Sequence, residues 1–70
     1  MMEWVQLSST NLSRVRYDEP TLTLEIEFQG GRVYQYFDVP AHIFDGLLRA
    51  DSHGTFFNSQ IKGYYRYARV

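Results

Sequence analysis

Seventy residues bound this chain to a single domain, and one this small buries only about 60% of its unfolded surface. A formal net charge of −1 argues against a dedicated high-affinity nucleic-acid binder, and the lack of cysteine excludes disulfides and thiolate metal sites. Aromatic residues make up 17% of the chain, so large rings can supply much of a core. No apolar run is long enough for a transmembrane helix. Met1 to Ser9 lacks the basic and apolar regions of a signal peptide, and a cytoplasmic protein is expected.

The charge is unevenly spread. Residues 1–31 hold two cations against five acids, residues 32–70 hold five against three, and no acid follows Asp51. The chain therefore has an acidic first half and a basic tail.

In chain order, Glu3 to Leu7 reads as a short strand or an ordered lead-in, with Trp4 as a core plug or lid. Ser8 to Asn11 is a polar cluster with turn chemistry. A nucleophilic Ser9 would need a base and an oxyanion hole, and no nucleophile elbow is present. Ser13 to Asp18 alternates as a strand, with Val15 and Tyr17 on one face, and Asp18-Glu19-Pro20 ends it.

The clearest element is a β-hairpin. Leu22, Leu24, Ile26 and Phe28 alternate strictly with polar residues, Gly30-Gly31 supplies a tight turn, and Arg32 to Phe37 returns. With Gly30 and Gly31 as the two turn residues, Gln29 pairs with Arg32 and Phe28 with Val33. Val33 and Phe37 then join the core with Gln35 as an odd polar member, while Tyr34 and Tyr36 share the second face with Glu25, Glu27 and Arg32. A three-residue turn would slip the pairing by one and send both tyrosines inward.

After Val39-Pro40 the period changes. Ile43, Phe44, Leu47 and Leu48 form one stripe of a helix near Pro40–Ala50, with Asp38 placed to accept its first N–H groups and Gly46 marking close packing on the sheet. Asp51 to Gly54 breaks it. Ser52 or Thr55 can cap a second helix, Thr55–Lys62, and Gly63 suits the position after its end. Tyr64 to Val70 is a final strand or an extended arm. The expected fold is α+β: a three-stranded antiparallel meander packed against two short helices, with the C-terminal segment adding a strand or lying across the sheet.

The ordered residues Ser8, Ser9 and Asn11, then Val15, Tyr17 and Asp18, then Gly31, Tyr34 and Tyr36, then Val39 and Pro40 carry a resemblance. Ser52, Gly54, Phe56, Phe57, Asn58, Ile61 and Lys62, with Arg69 and Val70, complete it. The set resembles the KTSC domain, found at the C-terminus of some lysyl-tRNA synthetases and as small stand-alone bacterial proteins. That resemblance implies an RNA or tRNA partner through the synthetase association. With no synthetase catalytic domain ahead of it here, such a role is expected to act in trans.

The residues suggest where an RNA would bind. Tyr34 and Tyr36 can stack bases, and Lys62, Arg66 and Arg69 interleave with Tyr64, Tyr65 and Tyr67 to follow a phosphate backbone. Against this stand Glu25 and Glu27 on the tyrosine face, the small number of cations, and the ordinary use of tyrosines as packing residues with wet tips. Gly54 to Asn58 with Lys62 is a second anion-site candidate at a helix N-terminus, with Asn58 holding a loop as the plainer alternative. His42 and His53 lack zinc-ligand spacing and are expected to be solvated. The overall expectation is a non-enzymatic binding module without cofactor or metal, off the membrane, monomeric or weakly dimeric. Its partner is RNA or tRNA or, alternatively, a protein or a second copy of itself.

Overall fold

The computed structural model describes residues 3–70. Five strands, β1 (Val5–Gln6), β2 (Leu12–Asp18), β3 (Thr23–Phe28), β4 (Val33–Tyr36) and β5 (Tyr67–Arg69), form one antiparallel sheet in sequence order. Helices α1 (Ala41–Arg49) and α2 (His53–Gln60) lie between β4 and β5 in the chain, and their apolar residues join the core on one face of the sheet. The expected α+β class holds. The three-stranded meander is extended at both edges, because the Trp4 region and the tail both pair as strands.

The hairpin departs from its expected register. Leu24 pairs with Tyr36, Glu25 with Gln35, Ile26 with Tyr34 and Glu27 with Val33. The turn has three residues, Gln29 to Gly31, closed by Phe28 N–H to the Arg32 carbonyl at 2.8 Å and Gly31 N–H to the Phe28 carbonyl at 3.0 Å. Gly30 and Gly31 both take positive φ, 100° and 95°, which only glycine adopts cheaply. Gln29, expected opposite Arg32, instead donates its backbone N–H to the Asn11 carbonyl at 2.8 Å.

The reason for the slip lies at Gln35. The two-residue turn would place its amide in an apolar core, where an unpaired polar group costs about 1–3 kcal/mol. In the observed register Gln35 faces away from the helices and donates to Glu25 Oε2 at 2.7 Å. Tyr34 and Tyr36 turn inward with Leu24 and Ile26, and Val33 and Phe37 turn outward.

A bulge between Leu12 and Arg14 makes the same kind of adjustment in β2. It brings Leu12 opposite Phe28, onto the face of Val15 and Tyr17, and sets Arg14 opposite Glu27. Leu12, Val15, Leu24, Ile26, Val39, Leu47 and Ile61 are fully buried. Tyr17 stacks on Phe44 of α1 at 5.1 Å and donates its hydroxyl to the Val39 carbonyl.

Helix α2 begins where Ser52 accepts the Thr55 N–H at 3.2 Å, two residues earlier than expected, and Gly63 follows it with φ of 84°. Helix α1 has no such side-chain cap. Asp38, expected to serve it, takes positive φ and pairs with Arg66. Gly46 packs on α2 and not on the sheet, since a Cβ there would meet Phe56 Cζ at 2.9 Å.

The sheet face away from the helices carries an ion-pair ladder. Arg14 pairs with Glu27 at 2.9 Å, Arg16 pairs with Glu25, and both guanidiniums lie 4.3 Å from the Trp4 ring. Trp4 is thus a lid on this ladder. Glu25 is buried and serves Arg16 and Gln35 together. Glu25→Ala leaves both without their acceptor and is expected to lower stability by about 2–3 kcal/mol in urea unfolding. Breaking the exposed Arg49–Asp45 pair, at 3.4 Å, with Arg49→Ala should change it by less than about 0.5 kcal/mol.

Candidate functional site

The helices leave part of their sheet face open. At the β4–β5 end, beside α2 and the residues that follow it, lies a groove of about 330 Å³. Its apolar wall is Phe28 and Phe57, whose rings meet edge to face at 5.3 Å, with Phe57 also edge-on to Tyr36 at 5.7 Å. Tyr34, Tyr36 and Tyr67 form a triangle, with ring centroids 6.5, 5.9 and 5.7 Å apart. The register produces this triangle, because Tyr36 and Tyr67 are direct cross-strand partners and Tyr34 lies two residues from Tyr36 on the same face.

Polar groups complete the groove. Arg32, opposite Phe28 across the turn, lies 5.8 Å over that ring, and Lys62, Asn58 and Asn11 also line the space. No acid lines it. None of these four side chains, nor the hydroxyls of Tyr34, Tyr36 and Tyr67, makes a hydrogen bond or ion pair with another described residue.

The structure thus gathers some of the residues singled out from sequence and separates others. Tyr34, Tyr36 and Lys62 meet in the groove. Arg69 lies opposite Tyr34 on the same face, outside the groove's lining. Tyr65 is half-buried against the core. Arg66 faces the other way, pairing with Asp38 at 2.8 Å and lying 5.3 Å over Phe37. Glu25 and Glu27, expected beside the tyrosines, are on the opposite sheet face.

The N-terminal anion-site candidate does not assemble, because Lys62 lies beyond the far end of α2. Asn58 holds no loop; it is exposed and turned to the groove. His53 is not free in solvent, since its Nδ1 lies 2.9 Å from the Leu47 carbonyl. Ser9 Oγ accepts the Asn11 and Leu12 N–H groups at 3.2 Å each, the turn role expected of it. Arg32 and Asn11 were not expected as binding residues, and Tyr67, expected in the basic tail, instead joins Tyr34 and Tyr36. Alternation places Arg32 on the face of Tyr34 and Tyr36, and strand pairing brings Tyr67 beside Tyr36.

Fold and site together define a small α+β domain, a five-stranded antiparallel meander with two helices on one face and an aromatic groove left open beside them. The chain belongs to the KTSC domain family, whose model matches residues 8–67. A crystal structure of a KTSC domain protein from Yersinia pestis superposes with a TM-score of 0.92 at 32% identity, covering 97% of this chain and 96% of that one. An uncharacterised protein of Stutzerimonas stutzeri is 41% identical over 70 residues, 99% of each chain. A lysine–tRNA ligase of Trichormus variabilis is 39% identical over 59 residues, 84% of this chain but only 10% of the ligase.

The tyrosine cluster has a pH signature. Burial, and then the neighbouring Tyr34 and Tyr67, push the Tyr36 phenol up to about 12. The folded chain then holds a proton that the unfolded chain loses near pH 10, so this contribution is intact below pH 10 and lost as pH rises to about 12. Urea unfolding should show stability falling between those values, less steeply in Tyr36→Phe. Phenolate absorbance should show a late-titrating step that the variant lacks.

Proposed function

We propose that the chain is a non-enzymatic RNA-binding module and that the tyrosine groove is its binding surface. One observation carries this. Four of the seven lysines and arginines are in ion pairs among the described residues, and the three that are not, Arg32, Lys62 and Arg69, all belong to the tyrosine face. Unpaired cations beside stacking rings, with no acid among them, suit a single-stranded backbone whose bases are free to stack. The match to a segment of enzymes named for lysine–tRNA ligation supports RNA, and tRNA in particular, as the partner.

A second reading rests on a different feature. Strand β5 is the sheet's edge and its three residues are exposed, so a protein strand or a second copy could extend the sheet there. Light scattering separates the two: a salt-insensitive, concentration-dependent dimer favours the edge, and a monomer that binds RNA favours the groove.

Titration of isotope-labelled protein with short single-stranded RNA, followed by two-dimensional NMR, should shift Arg32, Tyr34, Tyr36, Lys62 and Tyr67 at low salt. Each of Arg32→Ala and Lys62→Ala should weaken binding and lower the slope of log affinity against log salt by about 0.7. Arg66→Ala, which loses the pair with Asp38 and the contact with Phe37 away from the groove, should leave the slope unchanged. Silence of the groove residues at all salt concentrations would refute the assignment.

A further inference from the structure

The groove's chemistry changes with depth, and this points to a more specific ligand than RNA in general. Tyr36 forms the floor. It is only 6% exposed, yet its hydroxyl has no hydrogen-bond partner among the described residues. No buried side-chain polar atom among the described residues is both sealed from solvent and unpaired. The Tyr36 hydroxyl therefore keeps solvent access, and the groove it lines is where that access opens. Buried polar groups are ordinarily satisfied, so an almost buried hydroxyl left to the groove marks a position for a ligand atom.

Above this neutral floor stand the amides of Asn11 and Asn58, both exposed, each able to donate and accept. Arg32 and Lys62 are exposed at the rim. The groove thus runs from a nearly buried tyrosine at its floor to an exposed rim that carries both amides and cations. A bare anion would be drawn to the rim and leave the floor empty, and an apolar ligand would leave the amides and cations unused. A ligand with a flat heterocyclic head and an anionic tail uses every level. The volume, about 330 Å³, lies at the low end for small-molecule sites and fits one such unit, not a run of stacked bases.

We propose that the groove takes a single unpaired nucleotide, its base on the tyrosine floor within reach of Asn11 and Asn58 and its phosphate between Arg32 and Lys62. This rests on the RNA-binding reading and narrows it: the chain recognises one splayed or terminal nucleotide, and flanking nucleotides add little. Enzymes that handle extruded bases face the same requirement, a pocket that reads one base's edge and stacks on its face.

The test compares probes of increasing size on the intact chain: inorganic phosphate, the four nucleosides, the four nucleoside 5′-monophosphates, and mixed-sequence di-, tetra- and octanucleotides. NMR shifts locate the site and give the affinities. Mononucleotides are expected to shift the groove residues, at least tenfold more tightly than phosphate or nucleoside alone, with affinity nearly constant from dinucleotide to octanucleotide. Tyr36→Phe keeps the packed ring and removes only the hydroxyl. It should narrow the spread of affinities among the four mononucleotides by about tenfold, the effect of one lost hydrogen bond. Tyr67→Ala, at an exposed ring, should weaken every nucleotide about equally while leaving phosphate binding unchanged.

Silent mononucleotides, with octanucleotides binding through the same residues ever more tightly with length, would overturn the single-nucleotide site and leave the RNA-binding reading standing. Phosphate binding as tightly as mononucleotide would overturn it too, by reducing the groove to an anion site. Silence of the octanucleotide together with the mononucleotides would defeat both.

Discussion

A three-residue turn decides which side of the sheet each residue of β4 occupies, and most of what distinguishes the two faces follows from it. With Gln29 to Gly31 in the turn, Gln35 reaches Glu25 and the tyrosines on either side of it point toward the helices. A slip of one residue would reverse every side chain in the strand. The register is held from both sides. The carboxylate of Glu25 binds Arg16 on one neighbour strand and Gln35 on the other, while Leu24 and Ile26 pack with Tyr36 in the core. Glycine at positions 30 and 31 lets the turn form, but the polar demand of Gln35 selects the turn.

The same constraint builds the groove. Phe57 of α2 fills the space over Phe28 and Tyr36, yet α2 ends at Gln60, and the chain returns through Gly63 to β5. What the helix does not cover is left to three tyrosines. They are suited to it, because a tyrosine can pack its apolar ring and keep its hydroxyl wet. Phenylalanine at all three positions would leave no hydroxyl on the aromatic side of the groove. The hydroxyls are therefore the part of the cluster that packing alone does not explain.

Much of this fold is legible in the chain's own pattern. The hairpin, both helices, the Ser52 cap and Gly63 follow from alternation, helical spacing and turn chemistry, which are local signals. The register was harder, because a two-residue and a three-residue turn use the same Gly30-Gly31. The arbiter was a contact between Gln35 and Glu25, ten residues apart. Leu12 enters the core only through a bulge, which alternation cannot show. Strands β1 and β5 are two and three residues long, too short for a period to declare itself, and exist because a neighbour offers an edge. Tyr34, Tyr36 and Lys62 could be named as site residues from type alone. Arg32 shares the tyrosine face by alternation, but its place over Phe28 depends on pairing, as does the place of Tyr67 beside Tyr36.

Net charge conceals how the charges are used. The chain is nearly neutral, which by itself argues against a polyanionic partner. Its sheet, however, sorts charge by face. On the outer face Glu25 and Glu27 are consumed by Arg16 and Arg14 under Trp4, and at the edge Asp38 is consumed by Arg66. Neutralised pairs contribute little field at a distance, so Arg32, Lys62 and Arg69, which have no ion-pair partner among the described residues, dominate the local potential on the tyrosine face. Three cations are too few to hold a long backbone against physiological salt, since each phosphate neutralised adds to the salt penalty. They are enough for one phosphate already anchored by its base. A small charge count, a small groove and a tyrosine hydroxyl open to it thus favour a ligand recognised through one unit at a time.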